Sequence, residues 1–301
     1  MNYNKQNVLG HSLAFISVFI WSALYVSTKI LLEHFNAFEL LFLQFIIGYI
    51  FLLIIKPKRL VLEDKKDELY FIICGLFGIT IYNLFLNIAI DYSLASNVSV
   101  IIAASPLFTA LISFLLKIEK PYFNFFIGFI ISIVGIIIIT FNGKIELQLK
   151  PLGDIMAVIS SIGWAVYSVF IVKITDKKYD FILSTRKIIF YGIVFMIPSF
   201  FFFDFNPNWA ALKNPIVLFN MLFVAIFASG ICFIIWNEAT DLIGVLKTNV
   251  YVYLTPIITI IISIIVLKEK MTFIAIIGIT LTLIGVIVSE LRLNKNLYRI
   301  F

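Results

Sequence analysis

The sequence predicts an all-α integral membrane protein with ten transmembrane helices, arranged as two inverted five-helix repeats. Three observations lead to this prediction: an apolar composition, ten apolar segments of membrane-spanning length, and a sequence pattern that recurs at a constant offset. Of the 301 residues, 62% are hydrophobic and only 13% are charged, whereas soluble domains carry about 25% charged residues. Most of the surface of such a chain is therefore expected to face lipid.

Ten apolar segments have the length of about 20 residues that a helix needs to cross the hydrocarbon core. They cover 10–32, 38–55, 69–90, 95–116, 122–141, 152–173, 183–203, 215–240, 244–267 and 271–291. None of them alternates apolar and polar residues as the strands of a membrane barrel do, so all ten are predicted to be helices. The first segment is too long for a signal-peptide core and is expected to remain as the first helix.

The lysines and arginines are distributed unevenly along the predicted connections. With the N-terminus in the cytoplasm, 17 of the 23 lie in cytoplasmic segments. The positive-inside rule therefore places both termini in the cytoplasm. The chain is expected to be a multi-pass protein of the cell's inner (plasma) membrane. This distribution also explains the net charge of +6. No basic patch interleaved with aromatic residues is present, so nucleic acid is not an expected partner.

The second half of the chain repeats the first at an offset of 150 residues. SPLFTALISFLLKIEK begins at Ser105, and TPIITIIISIIVLKEK begins at Thr255. The same offset relates Asn87 to Asn237, Ala89 to Ala239, Asp91 to Asp241, Pro106 to Pro256, Glu119 to Glu269, Gly128 to Gly278 and Gly135 to Gly285. Two domains are predicted, 1–147 and 148–301. Because five is odd, the second unit enters the membrane from the opposite side.

An inverted repeat gives a carrier two related conformations, one open to each side of the membrane. Substrate sites recur between such repeats, so transport is favoured over a duplication kept only for stability. Polar and aromatic residues at helical spacing then indicate a central cavity. The predicted substrate-binding residues are Trp21, Tyr25, Tyr82, Asn83, Asn87, Ser99, Trp164, Tyr167, Trp236, Asn237, Asn249 and Tyr253. The alternative is that these residues only pack and hydrogen-bond between neighbouring helices.

Other residues have two interpretations each. Pro106 and Pro256 remove a backbone donor within a helix and are predicted either to act as gating hinges or to produce static kinks. Lys29 and Lys173 either meet an anionic group of the substrate or extend to the lipid headgroups. The second interpretation is favoured. Glu119 and Glu269 are expected to pair with the adjacent connection. The glycine-bearing helices near 122–141 and 271–291 are expected to pack closely, either behind the cavity or in a homodimer.

These features resemble the EamA-type carriers of the drug/metabolite transporter superfamily. The resemblance rests on Trp21-Ser22 followed by Lys29, on Trp164-Ala165 followed by Lys173, and on the duplicated segments from Ser105 and Thr255, each followed by an F-x4-G-x6-G helix. It covers nearly the whole chain and implies a central cavity lined by spans 1, 3, 4, 6, 8 and 9. Two positions depart from the family pattern: Ser22 stands where Gly is frequent, and Gln44 stands where Arg is frequent.

A secondary transporter that exports small metabolites such as amino acids is therefore predicted. The alternatives are a lipid-intermediate flippase and a sugar-nucleotide or nucleoside carrier of the same fold. The expected partners are a small-molecule substrate and the lipid bilayer. No carboxylate lies securely at a midplane, which favours a neutral or zwitterionic substrate. The sequence contains no P-loop, metal-binding cluster or catalytic constellation, so no enzyme activity, cofactor or metal is predicted.

Overall fold

In the computed structural model, residues 3–116, 123–141, 151–244, 248, 251–269 and 271–290 are described. Helices dominate these ranges, and no β-strand occurs within them. The helices are α1 Tyr3–Leu31, α2 Ala37–Ile55, α3 Lys65–Tyr92, α4 Ala95–Leu115, α5 Phe123–Phe141, α6 Pro151–Thr175, α7 Phe181–Phe201, α8 Pro215–Ile243, α9 Tyr251–Val266 and α10 Phe273–Glu290. The predicted all-α architecture is confirmed.

Seven of these helices, α1 to α4 and α6 to α8, are long and apolar enough to cross a membrane. In α5, α9 and α10 the stretches that qualify as apolar helix are shorter, at 10–17 residues. Exposed apolar side chains on many helices, such as Phe15 on α1 and Ile130 on α5, suit contact with lipid. The count of ten crossings stays a prediction.

Contacts between helix ends sort them into two sides of the bundle. We call the side where α1 begins side A and the opposite side B. On side A, Lys56 after α2 pairs with Asp180 before α7, at 2.5 Å between Nζ and Oδ2. Burial raises the pKa of Asp180, but the hydrogen bonds from Lys56 and from the Leu183 backbone outweigh it, so that pKa lies below its usual value. On side B, Lys29 at the end of α1 contacts the end of α3. Successive helices therefore run in alternating directions.

The glycine-bearing helices α5 and α10 pack against each other within the chain. A Cβ atom at Gly135 would lie 2.5 Å from the backbone nitrogen of Thr282, and one at Gly285 would lie 2.6 Å from the carbonyl oxygen of Gly128. Ser132 Oγ also donates to the carbonyl oxygen of Thr282 at 3.1 Å. Each of the two glycine contacts is the counterpart of the other at the 150-residue offset, and α5 and α10 run antiparallel. The glycine faces are thus used inside one chain, and the homodimer stays a prediction.

The two prolines begin new helical segments instead of bending continuous helices. In α4, the helix Ala95–Ala103 ends before Ser105–Leu115 begins, and Pro106 lies in the first turn of the second segment. In α9, a 3₁₀ turn over Tyr251–Leu254 precedes the segment Thr255–Val266, whose first turn holds Pro256. A proline in a first turn removes a backbone donor that has no partner within the helix. Both repeats therefore have a break at the same place.

A second paired irregularity is the π-helix within the third helix of each repeat. In α3 it spans Gly75–Ile81, and in α8 it spans Phe223–Ile231. The two segments overlap at the 150-residue offset. Wide turns of this kind are rare and are frequent near functional sites. In this protein they flank the cluster of aromatic side chains described next.

Candidate functional site

Two tryptophans from opposite repeats meet near the middle of the bundle. Trp21 of α1 and Trp164 of α6 have ring centroids 5.4 Å apart and ring planes at 85°. Each lies well inside its helix, far from either end. An edge-to-face pair places the positive ring edge of one indole against the electron-rich face of the other. Both residues were predicted from the sequence to line the site, and the structure brings them together.

Four more aromatic side chains surround this pair. Trp236 lies 5.1 Å from Trp21 between ring centroids, and Phe233 lies 5.6 Å from it. Tyr82 and Tyr167 lie 5.0 Å and 5.2 Å from Trp164. We call Trp21, Tyr82, Trp164, Tyr167, Phe233 and Trp236 the aromatic cluster. Helices α1, α3, α6 and α8 supply it, so both repeats contribute. Phe233 was not among the residues predicted from the sequence, because only polar side chains, Trp and Tyr within the helices indicated a site.

Hydrogen bonds attach two predicted site residues to the edge of the cluster. The hydroxyl of Tyr167 donates to Oδ1 of Asn237 at 3.1 Å, and Asn237 Nδ2 lies 3.5 Å from Oγ1 of Thr185 on α7. Tyr82 also packs against the buried group of side chains that contains Tyr25. Tyr25, Tyr167 and Asn237 are all buried. These groups fix the orientation of the rings and supply polar atoms beside an otherwise apolar site.

Two other predicted residues have their amide N–H groups engaged by the backbone. Asn83 Nδ2 donates to the carbonyl oxygens of Gly78 and Ile79, both at 3.0 Å, within the π-helix of α3. Asn87 Nδ2 donates to the carbonyl oxygen of Ala37 at 3.2 Å. Both side chains are buried. These bonds stabilise irregular or terminal backbone, which is the packing role that the sequence left open as the alternative.

Two further predicted site residues, Ser99 and Tyr253, have other surroundings. Ser99 Oγ donates to the carbonyl oxygen of Ser96 in its own helix at 2.7 Å. Tyr253 is half-buried and packs beside the buried group that includes Tyr25. Asn249 lies outside the described residues. A substrate-binding role for any of these residues stays a prediction.

Charged side chains lie toward the helix ends and not in the cluster. Lys29 Nζ contacts the carbonyl oxygens of Ile90 at 2.5 Å and of Asp91 and Ser93 at 3.1 Å, where a cation stabilises the negative end of α3. Lys173 is exposed. In the part of the chain that the structure describes, no group of three His, Cys, Asp or Glu could hold a metal ion. The site offers aromatic faces and a few hydrogen-bonding groups.

Glu269 has a partner that the sequence analysis did not expect. Its carboxylate accepts from the backbone N–H of Ala95 at 2.9 Å and from Oγ of Ser96 at 2.6 Å. It therefore caps the first turn of α4, in the other repeat, whereas pairing with its adjacent connection was predicted. The carboxylate joins the two repeats on side B. Its predicted counterpart Glu119 lies outside the described residues.

Replacing Glu269 by alanine should destabilise the fold by about 0.5–2 kcal/mol, the usual cost of removing a helix cap. The free N–H groups at the start of α4 would lose both a hydrogen bond and a favourable charge. Thermal unfolding of the purified protein in detergent measures this change. Glu33→Ala is the matched control, because Glu33 is exposed. Equal melting temperatures for the two variants would show that the cap contributes nothing.

Comparisons with known proteins agree with this architecture. The model of the EamA-like transporter family matches residues 8–141 and again 151–291. An uncharacterized transporter of Archaeoglobus fulgidus is 28% identical over 294 residues, which cover 96% of this chain and all of that protein. The uncharacterized transporter YdfC of Bacillus subtilis is 24% identical over 291 residues, covering 96% of this chain and 92% of that one. A solved crystal structure shares the fold, with a TM-score of 0.63, 17% identity and coverage of 95% and 98% of the two chains.

Proposed function

The chain belongs to the EamA-like transporter family, and from that premise we propose that it is a secondary carrier for small neutral or zwitterionic metabolites such as amino acids. It moves them by alternating access around the aromatic cluster, and export is the expected direction. The solute binds between the repeats, so that the same side chains contact it from either side of the membrane. This arrangement is the one that inverted repeats favour.

One observation carries the proposal: both repeats contribute rings to a single cluster at mid-depth, and the cluster contains no ionisable acid or base other than tyrosine. A solute with a net charge would lose its hydration there without a countercharge, which is costly in a low-dielectric interior. A flat apolar or aromatic group gains contact with the indole faces instead. The hydroxyl and amide groups of Tyr25, Tyr167 and Asn237 provide hydrogen bonds for the polar part of a zwitterion.

Counterflow in proteoliposomes tests this proposal. Vesicles that contain the purified protein are loaded with one unlabelled amino acid, nucleoside or sugar at a time, and uptake of the labelled form is followed. We expect saturable uptake of at least one small zwitterionic solute and none in vesicles without protein. Linear, unsaturable flux would indicate a channel. Movement of a labelled lipid-linked sugar between leaflets, with no solute counterflow, would indicate a flippase instead.

A further inference from the structure

The middle of α1 is tied to two helices of the other repeat by two successive residues. Trp21 Nε1 donates to the carbonyl oxygen of Ala228 at 3.1 Å, inside the π-helix of α8. Thr259 Oγ1 on α9 donates to the carbonyl oxygen of Ser22 at 3.2 Å. Thr259 and Ser22 are fully buried. These two bonds link the aromatic cluster directly to the two helices that carry the π-helix and the proline break of the second repeat.

The equivalent positions in the other repeat have the same packing but different bonds. Trp164 and Ala165 of α6 correspond to Trp21 and Ser22, while Gly78 and Thr109 correspond to Ala228 and Thr259 at the 150-residue offset. Helix α6 packs against α3 and α4 just as α1 packs against α8 and α9.

In this repeat neither cross-helix bond is formed. Thr109 Oγ1 donates to the carbonyl oxygen of Ser105 in its own helix at 3.0 Å. The carbonyl oxygen of Gly78 accepts from Asn83 instead of from an indole. Among the described residues, no hydrogen bond to Trp164 Nε1 is found. The two repeats therefore differ in these hydrogen bonds at the Trp21-Ser22 and Trp164-Ala165 motifs.

We propose that the protein has two conformers. In the present one the cross-helix hydrogen bonds form at the Trp21-Ser22 motif, and in the other they form at the Trp164-Ala165 motif instead. In the second conformer, Trp164 Nε1 donates to the carbonyl oxygen of Gly78 and Thr109 Oγ1 donates to that of Ala165, while Trp21 and Thr259 release their acceptors. The proposal rests on the alternating access of the proposed function. Thr259 and Thr109 act as positioning residues, because each acts through the helix that carries a cluster tryptophan.

The chemistry of the exchange is balanced. Three hydrogen bonds break: those of Trp21 to Ala228, of Thr259 to Ser22 and of Thr109 to Ser105. Three equivalent ones form: those of Trp164 to Gly78, of Thr109 to Ala165 and of Thr259 to Thr255 in its own helix, so the two conformers remain close in free energy, as a two-state carrier requires. The carbonyl oxygen of Gly78 has two lone pairs and can accept from an indole while Asn83 remains in place. Thr109 needs only a rotation of its side chain to leave the carbonyl oxygen of Ser105. In each conformer one indole N–H of the tryptophan pair is without an acceptor, that of Trp164 in the present conformer and that of Trp21 in the second, so this cost is similar in both and largely cancels.

The two threonines offer a matched pair of variants with opposite expected effects. Thr259→Val removes one hydroxyl with little change in shape and weakens the present conformer, because it removes a bond between two helices. Thr109→Val weakens the second conformer, because the bond that it removes from the present one, to the preceding turn of its own helix, adds little to helix stability. The loss of one net hydrogen bond changes a two-state ratio by about fivefold. We therefore expect the conformer ratio to shift about fivefold in opposite directions in the two variants, and Thr259→Ser, which keeps the hydroxyl, to leave it unchanged.

Fluorine NMR of the protein labelled with fluorotryptophan, in detergent and without any solute, measures this ratio. The four tryptophans are assigned with single Trp→Phe variants, and Trp209, which is 59% exposed, serves as an internal reference. The expected result is a pair of resonances each for Trp21 and Trp164, with ratios that move in opposite directions in the two valine variants. Melting temperatures establish that the variants are folded.

Two results would overturn the proposal: ratios that move in the same direction in both valine variants, or a single unshifted resonance for each tryptophan in Thr259→Val. Because no solute is present, these outcomes are independent of the transport assay. Opposite shifts without solute counterflow would leave the exchange standing and remove the proposed function. Solute counterflow together with shifts in the same direction would remove the exchange and leave the proposed function standing.

Discussion

Replacing Trp164 by alanine is expected to lower the efficiency of solute transport by up to about tenfold, because a ring contact with a solute is worth about 0.5–1.5 kcal/mol and 1.4 kcal/mol corresponds to a tenfold change in affinity. Trp164 is only 5% exposed and contacts Trp21, Tyr82, Tyr167 and Trp236. It is the one ring of the cluster that touches all these neighbours. Its removal both deletes a contact surface and lets the neighbouring rings shift.

The same substitution destabilises the protein, so transport must be compared at equal amounts of folded protein. Truncating a buried Trp costs about 3–5 kcal/mol of unfolding free energy. Trp164→Phe keeps a ring in the cluster and should retain much of the transport rate. Trp209→Ala is the matched control, since Trp209 is exposed in a short turn outside the cluster. Wild-type counterflow in folded Trp164→Ala would remove the cluster from the substrate pathway.

The architecture was accessible from the sequence because two strong constraints act on it. A lipid-facing chain must satisfy its backbone hydrogen bonds internally, so long apolar runs become helices. The 150-residue offset then pairs features across the repeats, and the contacts of Gly135 with Gly278 and of Gly285 with Gly128 follow that offset residue by residue. Helical spacing likewise placed Trp21 and Trp164 at comparable depth.

The irregular backbone was not accessible from the sequence. A π-helix adds one residue to a turn and requires no particular residue type, so Gly75–Ile81 and Phe223–Ile231 look like ordinary apolar helix. The side chain that accompanies one of them, Asn83, was identified as polar and buried, but its partner is the local backbone. Helical periodicity shows which face a residue occupies but not which neighbouring atom it meets.

The sequence did not indicate Phe233 as a site residue, and it predicted the wrong partner for Glu269, for similar reasons. Phe233 is one of 32 phenylalanines, and a Phe inside an apolar helix carries no signal that separates a site from ordinary packing. Glu269 bonds Ser96, which lies 173 residues away in the chain. Only the three-dimensional arrangement of α4 and α9 shows that this carboxylate reaches a helix start in the other repeat. Contacts between repeats are thus the information that the sequence lacks.

Introducing a single methyl group at Gly135 should destabilise the protein by about 1–3 kcal/mol, the usual cost of overpacking. A Cβ atom there would lie 2.5 Å from the Thr282 backbone nitrogen and 2.7 Å from the Gly278 carbonyl oxygen. These are backbone atoms that cannot rotate away, so α5 and α10 must separate. The expected fall in Tm in detergent is about 3–10 °C, despite the higher helix propensity of alanine.

Gly285→Ala should have an effect of similar size, because its Cβ atom would lie 2.6 Å from the Gly128 carbonyl oxygen in the reciprocal contact. Gly230→Ala is the matched control: the nearest atom to its Cβ would be 3.6 Å away, an ordinary contact distance. If Gly135→Ala and Gly230→Ala melted at the same temperature, the close approach of α5 and α10 would be wrong. Equal losses of Tm in the Gly135 and Gly285 variants would agree with the reciprocal contacts, because equivalent residues of the two repeats meet on both sides of this helix pair.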